Sequence, residues 1–565
     1  MIRLSRVAHW VFGTSLGLLA CAEGPPDSPS SPGTDGEPGP IVGGGGLADG
    51  SPPGSALGSG GGPVIGDSDS ALLPARVWRL SHEQYRKSVV ALTGMEPDLS
   101  NFAPESGNGK FTTFSSTAFV QVDLAGNYYN VAKTIASEIA TQKLAALTSC
   151  PLTASCRDDF IRELAGRAFR TPLTPETREG LNAVFDLASA QATVESGFRA
   201  VLAAVLNSPL FLYRKEIGPE TALSSAEFEL TPHQVAEFLS FSLLDAPPPA
   251  WLGETADAGL LNPKDLASVL QKLMDEPDFT TALHHFLTEW LEVAFFDQVQ
   301  KSDVFPGFDA ARPLMQSELH EFFRESGAPE RGLRNLLLDP VPPVSPALEN
   351  FYSSDPSAPA ATPRIGILAL GSVLASHAKS YLTSPTLRGL FVRARLFCQD
   401  VSLPPGFTPP PLSETEGLKV ARSTRELYER HAAEPLCASC HELTDNIGFA
   451  LEAFDGAGRS RSLDATQGFQ IPLNTTAELV DTDVDRLLTG PGDLSVALSE
   501  SSAVKECFAR QAFRFYFGQE ERRDDEPAII KGRDSILQED TLRALTLGLF
   551  MSETTAKRGR GGGEN

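Results

Sequence analysis

Cysteine is scarce in this chain: 7 among 565 residues, with Cys-x-x-Cys occurring once. A zinc module built on paired C-x-x-C motifs therefore lacks its second half. After the N-terminal segment no run of eighteen uninterrupted apolar residues occurs, so no membrane-spanning helix is expected there. Positive charge is also short, with 47 Lys and Arg against 72 Asp and Glu and a formal net charge of -25. Repulsion of that size argues against nucleic acid or an anionic membrane face as partner. Several catalytic signatures are missing. His320-Glu321-Phe322-Phe323-Arg324 and His441-Glu442-Leu443-Thr444-Asp445 both begin like H-E-x-x-H but lack the second His. Gly107-Asn108-Gly109-Lys110 lacks the first Gly and the following Ser or Thr of a P-loop, and no G-x-S-x-G is present.

What is there is Cys437-Ala438-Ser439-Cys440-His441. Two thiols at this spacing can add to the two vinyl groups of one porphyrin, and the imidazole that follows is placed to ligate its iron from one face. The motif predicts one haem c held by Cys437 and Cys440, with His441 as proximal ligand. A C-x-x-C disulfide, structural or redox-active, and half of a zinc site are the alternatives. The N-terminus fits an oxidising compartment. Arg3 and Arg6 precede a short apolar stretch that ends in Leu18-Leu19-Ala20-Cys21, the pattern of a bacterial lipobox. Residues 1–20 are read as a removed signal and Cys21 as the lipidated first residue of an envelope protein. Ala22 after it fits the outer membrane. Residues 21–72, dominated by Gly, Pro, Ser and Asp, cannot bury a core and read as a disordered tether, leaving the lipid as the one contact with the membrane.

The folded part is expected to be mainly α, in several helical modules with little strand. Helices are predicted from Ser81, over 160–170, 174–190, 196–213 and 231–244, and over 266–274, 279–291 and 313–326, with a short hairpin around 468–474. Modules are placed at 75–145, 150–216, 226–352, 363–465 and 480–552, and residues 553–565 as a frayed tail. Cys150 and Cys156 bracket a short loop and are expected to bridge, and even arithmetic then pairs Cys398 with Cys507.

Four blocks occur in a telling order: Leu80-Ser81-His82-Glu83-Gln84-Tyr85, Leu239-Ser240-Phe241-Ser242-Leu243-Leu244-Asp245-Ala246-Pro247-Pro248, Thr383-Ser384-Pro385-Thr386-Leu387-Arg388-Gly389, and the stretch from His431 to Arg459 around the C-x-x-C-H. In this the chain resembles the planctomycete-type cytochrome-like envelope proteins built from the domains of unknown function 1587, 1595, 1592, 1588 and 1585. The resemblance covers roughly residues 75–550 and implies a c-type-cytochrome-like module with no known substrate. One departure is that Thr444 stands before Asp445, where the family usually has Met. No His follows His441, and the Met that does is Met551. A six-coordinate iron would therefore take its distal ligand from Met551 or from upstream, where His377 is preferred; otherwise the iron keeps an open position. Asp445, Glu452 and Asp455 are read as side chains supporting the axial ligand, with Glu452 and Asp455 spaced to share a helix face. The expected function is electron transfer or haem-dependent redox chemistry, which needs a redox partner protein. The competing reading is a non-haem surface lipoprotein that binds glycan or protein.

Overall fold

Hydroxyl caps and prolines set where the helices begin. Ser81 opens His82–Thr93 with a full capping box: its hydroxyl accepts the Gln84 amide at 3.1 Å, and the Gln84 side chain accepts the Ser81 amide at 3.2 Å. Thr174 and Thr231 cap Pro175–Gln191 and Pro232–Leu243 through the hydroxyl alone, each with Pro in the first turn where its missing N–H costs nothing. The computed structural model describes residues 72–105, 111–115, 122–219, 221, 227–261, 264–353, 362–401, 421–433, 435–464 and 469–559. Within them the chain is mainly α, with four two-stranded antiparallel ladders. No helix among them is long and apolar enough to cross a membrane. Cys21, the signal segment and the tether lie outside the described residues.

Two expected helices differ in extent. The 196–213 stretch divides into Val194–Leu206 and Pro209–Leu212, because Ser208 caps a new start at Pro209. The 313–326 helix begins earlier, at Phe308, where burying Phe308 and Ala311 outweighs the hydrogen bond Pro313 cannot make. The expected hairpin is a pairing of Leu463–Asp464 with Ile471–Pro472, followed by a second between Ala477–Leu479 and Arg486–Leu488.

The modules read from sequence do not each own a core. One apolar cluster gathers side chains from Leu80 to Leu212 together with Phe241. A second, larger one runs from Phe228 to Phe550 and takes in Leu73, Phe111 and Phe114 from the N-terminal region. Between them lies a stack of buried cations and rings. The Arg76 guanidinium sits 4.1 Å from the Trp78 ring centre and that of Arg214 sits 4.5 Å from it; Arg214 is also 5.2 Å from Phe241, and Arg170 is 5.4 Å from Phe241. Such contacts are strongest where water is excluded. Arg170 caps its helix in the left-handed region at φ 57°, and its guanidinium donates to Glu237 at 2.7 Å and to the carbonyls of Ala168, Leu210, Phe211 and Tyr213. Those bonds offset the backbone strain.

The C-terminal segment corrects the expectation of a frayed tail from 553. Lys557–Gly559 is a strand paired with Glu227–Glu229, and Gly559 also exchanges hydrogen bonds with Leu73 and Ala75. Arg558 is fully buried, donating to Glu216 at 2.5 Å and to the Thr554 carbonyl at 2.6 Å. The composition of this stretch resembles a solvated tail, but Glu216 has its own burial to compensate and draws the guanidinium in. Burial acts against the Glu216 charge, but Arg558 and Arg76 overrule it and hold the carboxyl down at about 2.

Asp245 ends the helix Pro232–Leu243 at φ 50° and accepts from His285 Nδ1 at 3.2 Å, while His285 Nε2 meets Glu289 at 2.8 Å. Burial alone would lower this imidazole, yet the two carboxylates raise it to about 10. Both expected disulfides are present, Cys150 to Cys156 and Cys398 to Cys507. The second closes a separation of 109 residues and ties the segment before the C-x-x-C-H to helix Ser502–Phe517 after it.

Two outcomes are expected. Replacing Cys398 and Cys507 together by Ser should lower unfolding stability by about 2–5 kcal/mol in urea titrations, and more than the same change at Cys150 and Cys156, whose loop is short. Because the His285 value is raised on folding, its contribution is complete below about pH 6.5 and is lost as pH rises through about 10. His285→Gln should therefore flatten the alkaline limb of the stability profile between those values.

Candidate functional site

The C-x-x-C-H lies in the first two turns of helix Pro435–Ala450. Positions i, i+3 and i+4 share one helix face, so Cys437, Cys440 and His441 lie on a single stripe of the backbone. The Cys437 side chain lies outside the described residues. Cys440 is a free, half-buried thiol. Asp445, one turn beyond His441, is buried and accepts from His441 Nδ1 at 2.8 Å. Its second oxygen accepts from the Thr386 hydroxyl at 2.6 Å. A carboxylate only accepts, so the Nδ1 atom carries the hydrogen and Nε2 is left with its lone pair as the nitrogen able to bind a metal. The His431 ring meets the His441 ring edge-on, with centroids 4.9 Å apart.

The block Thr383 to Gly389 forms the wall behind this helix. Ser384 caps Pro385–Phe391, accepting the Leu387 amide at 3.3 Å and the Tyr428 hydroxyl at 3.2 Å. The two helices cross backbone to backbone: a methyl at Gly389 would overlap the Thr444 carbonyl oxygen, and one at Gly448 would overlap that of Pro385. Arg388, wholly buried, donates to the carbonyls of Leu451 at 3.0 Å, Phe454 at 2.8 Å and Asp455 at 2.6 Å, and to Glu452 at 3.1 Å. Further along, buried Arg393 donates to the Leu443 carbonyl at 3.0 Å and to that of Val480 at 2.7 Å. Thr386, Arg388, Gly389 and Arg393 hold the C-x-x-C-H helix and the turn after it, and residue-type reasoning missed them. The signal available for the first three was their membership of the Thr383 to Gly389 block, which lies with the C-x-x-C-H in one family match.

Glu452 and Asp455 do not share a helix face, which corrects that expectation. The helix stops at Ala450, and Asp455 folds the chain after it by accepting the amides of Ala457 and Arg459, each at 2.8 Å. Local side-chain to backbone bonds of this kind compete with helix continuation. Glu452 pairs with Arg388 and Arg461 and accepts from Thr383, and Asp455 pairs with Arg459 at 2.6 Å. Both are committed to arginines behind the helix; of the three acidic residues singled out, Asp445 is the one that touches His441.

His377 is buried against Phe391, with Nδ1 2.9 Å from the Val373 carbonyl and Nε2 3.1 Å from Glu292. Both of its nitrogens are engaged, and a ligand role would break one of those bonds. Among the described residues no group of three His, Cys, Asp or Glu side chains is arranged to hold a metal ion.

Four family models match the chain, each described as a protein of unknown function: DUF1587 (PSD3) over residues 78–141, DUF1595 (PSD5) over 156–216, DUF1592 (PSD4) over 230–353 and DUF1588 (PSCyt3) over 364–464. They are four of the five domains of the expected family, in the expected order. The chain belongs to that family. No curated protein and no solved structure matches it. Both blocks described above, 383–389 and 431–459, fall within the DUF1588 match, so the contact between them is internal to the cytochrome-like domain.

The donor set fits a covalently held haem on its proximal side. The thiol positions and the imidazole share one face, and the imidazole is oriented through Nδ1 by a carboxylate, the arrangement that fixes metal-bound histidines. Gly389→Ala should lower stability by about 1–3 kcal/mol, since neither backbone can yield without displacing the other. Gly166→Ala, in helix Arg157–Phe169 with no atom within 4 Å of the added methyl, should instead raise it by about 0.5–1 kcal/mol. Urea denaturation of the pair measures both signs.

Proposed function

We propose that this is an envelope redox protein carrying one haem c, attached through Cys437 and Cys440 and ligated on its proximal face by His441. The observation that carries the reading is the His441 to Asp445 hydrogen bond at 2.8 Å, itself anchored by Thr386, within a C-x-x-C-H helix of a family named for its cytochrome-like domain. When bound, the haem supplies a one-electron couple. The protein's part is to hold the imidazole: Asp445 fixes its tautomer and, by keeping negative charge on Nδ1–H, raises the basicity of Nε2, which favours the oxidised iron. One redox centre cannot pass electrons alone, so a docking partner protein is part of the proposal, as are lipid attachment at Cys21 and an outer-membrane location. The activity is electron transfer or oxidation of a substrate held by the upstream helices.

A second reading rests on a different observation. A cleft of about 710 Å³ opens where His82–Thr93, Arg157–Phe169, Pro232–Leu243 and Ala250–Asp257 converge, walled by Pro247, Pro248 and Pro249 and by the His233 to Asp257 pair at 3.0 Å. It shares no lining residue with the C-x-x-C-H helix. In the haem reading this cleft is where a substrate would be captured; without haem, the chain would be a binding protein that uses it.

The test is a pyridine haemochrome spectrum of protein made with a cytochrome c maturation system, beside the Cys437→Ala, Cys440→Ala double variant. A c-type band in the first and none in the second is expected. No band in either, from folded protein, would leave the binding reading in its place. In the loaded protein Asp445→Asn should raise the midpoint potential, read by spectroelectrochemical titration.

A further inference from the structure

Every His and Met after Cys21 falls within the described residues, so the second axial position can be examined by elimination. Met1 and His9 precede Cys21, in the segment read as a removed signal.

His431 is the nearest neighbour of His441, and its distance decides its role. Two imidazoles on opposite faces of one iron, each with metal to nitrogen at about 2 Å, keep their ring centres about 6 Å apart. The observed separation is 4.9 Å with the rings at 81°, too close for an iron between them, so His431 packs beside the proximal ring and not across from it. His377 is held at both nitrogens by Val373 and Glu292, and Arg395 shares that carboxylate. Glu292 bonds both His377 and Arg395, so an iron at His377 would have to displace an existing ion pair.

The remaining imidazoles stand on helices other than those that pack most closely on Pro435–Ala450. His285 is clamped by Asp245 and Glu289, His233 pairs with Asp257, His82 packs edge-on to Phe102, and His284 lies against Phe323 beside His320. The thioethers are no more available. Met274 and Met315 are buried in the larger core, Met551 packs on the same core, and Met95 packs on the smaller one.

From this we infer that His441 is the one His or Met of the chain that reaches the iron, and that the sixth position is open to a small exogenous ligand of diatomic or peroxide size. The inference rests on the haem reading and gives the class of molecule that the same site takes. It separates the protein from cytochromes that only relay electrons, in which both axial positions are filled by the chain.

The test uses the full-length haem-loaded protein, reduced with dithionite and titrated with carbon monoxide, with haem content measured on the same sample by haemochrome. A five-coordinate high-spin ferrous spectrum that converts with carbon monoxide to a 1:1 adduct is expected, and His377→Gln and Met551→Leu should leave both spectra unchanged. A six-coordinate low-spin ferrous spectrum that resists carbon monoxide would overturn the inference while leaving the haem reading intact, as would gas binding that appears only in one of those variants. Absence of a haemochrome band removes the haem reading itself and this inference with it. The two failures are told apart by that one control.

Discussion

The cytochrome-like domain depends on two helices meeting where neither can carry a side chain. Gly389 faces the Thr444 carbonyl and Gly448 faces that of Pro385, and this approach brings Thr386 within reach of Asp445, and through it His441. Arg388 then closes the end of the crossing. Burying its charge would cost several kcal/mol alone, but three carbonyls of the turn that follows the helix and the Glu452 carboxylate receive it. The same guanidinium therefore holds the turn after the C-x-x-C-H helix and neutralises a buried acid, tying that turn to the helix Pro385–Phe391.

Charges of both signs are buried together. The chain carries a formal charge of -25, yet Arg76, Arg170, Arg214, Arg388, Arg393 and Arg558 are all buried. Carboxylates are withdrawn with them, among them Glu216, Glu237, Glu452 and Asp525, so the solvent meets about the net acidity that the composition implies. Encounter with a partner bearing a basic face would be accelerated by that field and slowed by salt. Inside, the arginines do structural work that apolar side chains cannot, because each satisfies several backbone groups at fixed geometry.

Much of this was legible from the residues. Ser81, Thr174 and Thr231 announce their helices because a cap is a local event, complete within four residues. Pairing of Cys398 with Cys507 followed from counting, since a short local loop accounted for Cys150 and Cys156. Burial of Arg558 was not legible: a Gly-rich basic terminus has the composition of a solvated tail, and its fate depends on Glu216, 342 residues away. Likewise nothing in the spacing of Thr386 and Asp445 relates them, 59 residues apart, until the helices cross. Glu452 and Asp455 misled because a three-residue interval reads as a helix face only while the helix continues, and Asp455 itself turns the chain.

The pairing of Lys557–Gly559 with Glu227–Glu229, and of Gly559 with Leu73 and Ala75, has a consequence for how the molecule is assembled. A chain made from its N-terminus cannot complete this closure until Lys557–Gly559 has emerged. Until then Glu216 and Arg76 wait without Arg558, and the ladder edge at Glu227–Glu229 stands open. The early modules can collapse around their own core, but final locking is a single long-range event of high contact order. Locking of the fold thus waits on Lys557–Gly559, made long after the strand it pairs with, and any check on that one ladder is a check on whether the distant parts have met.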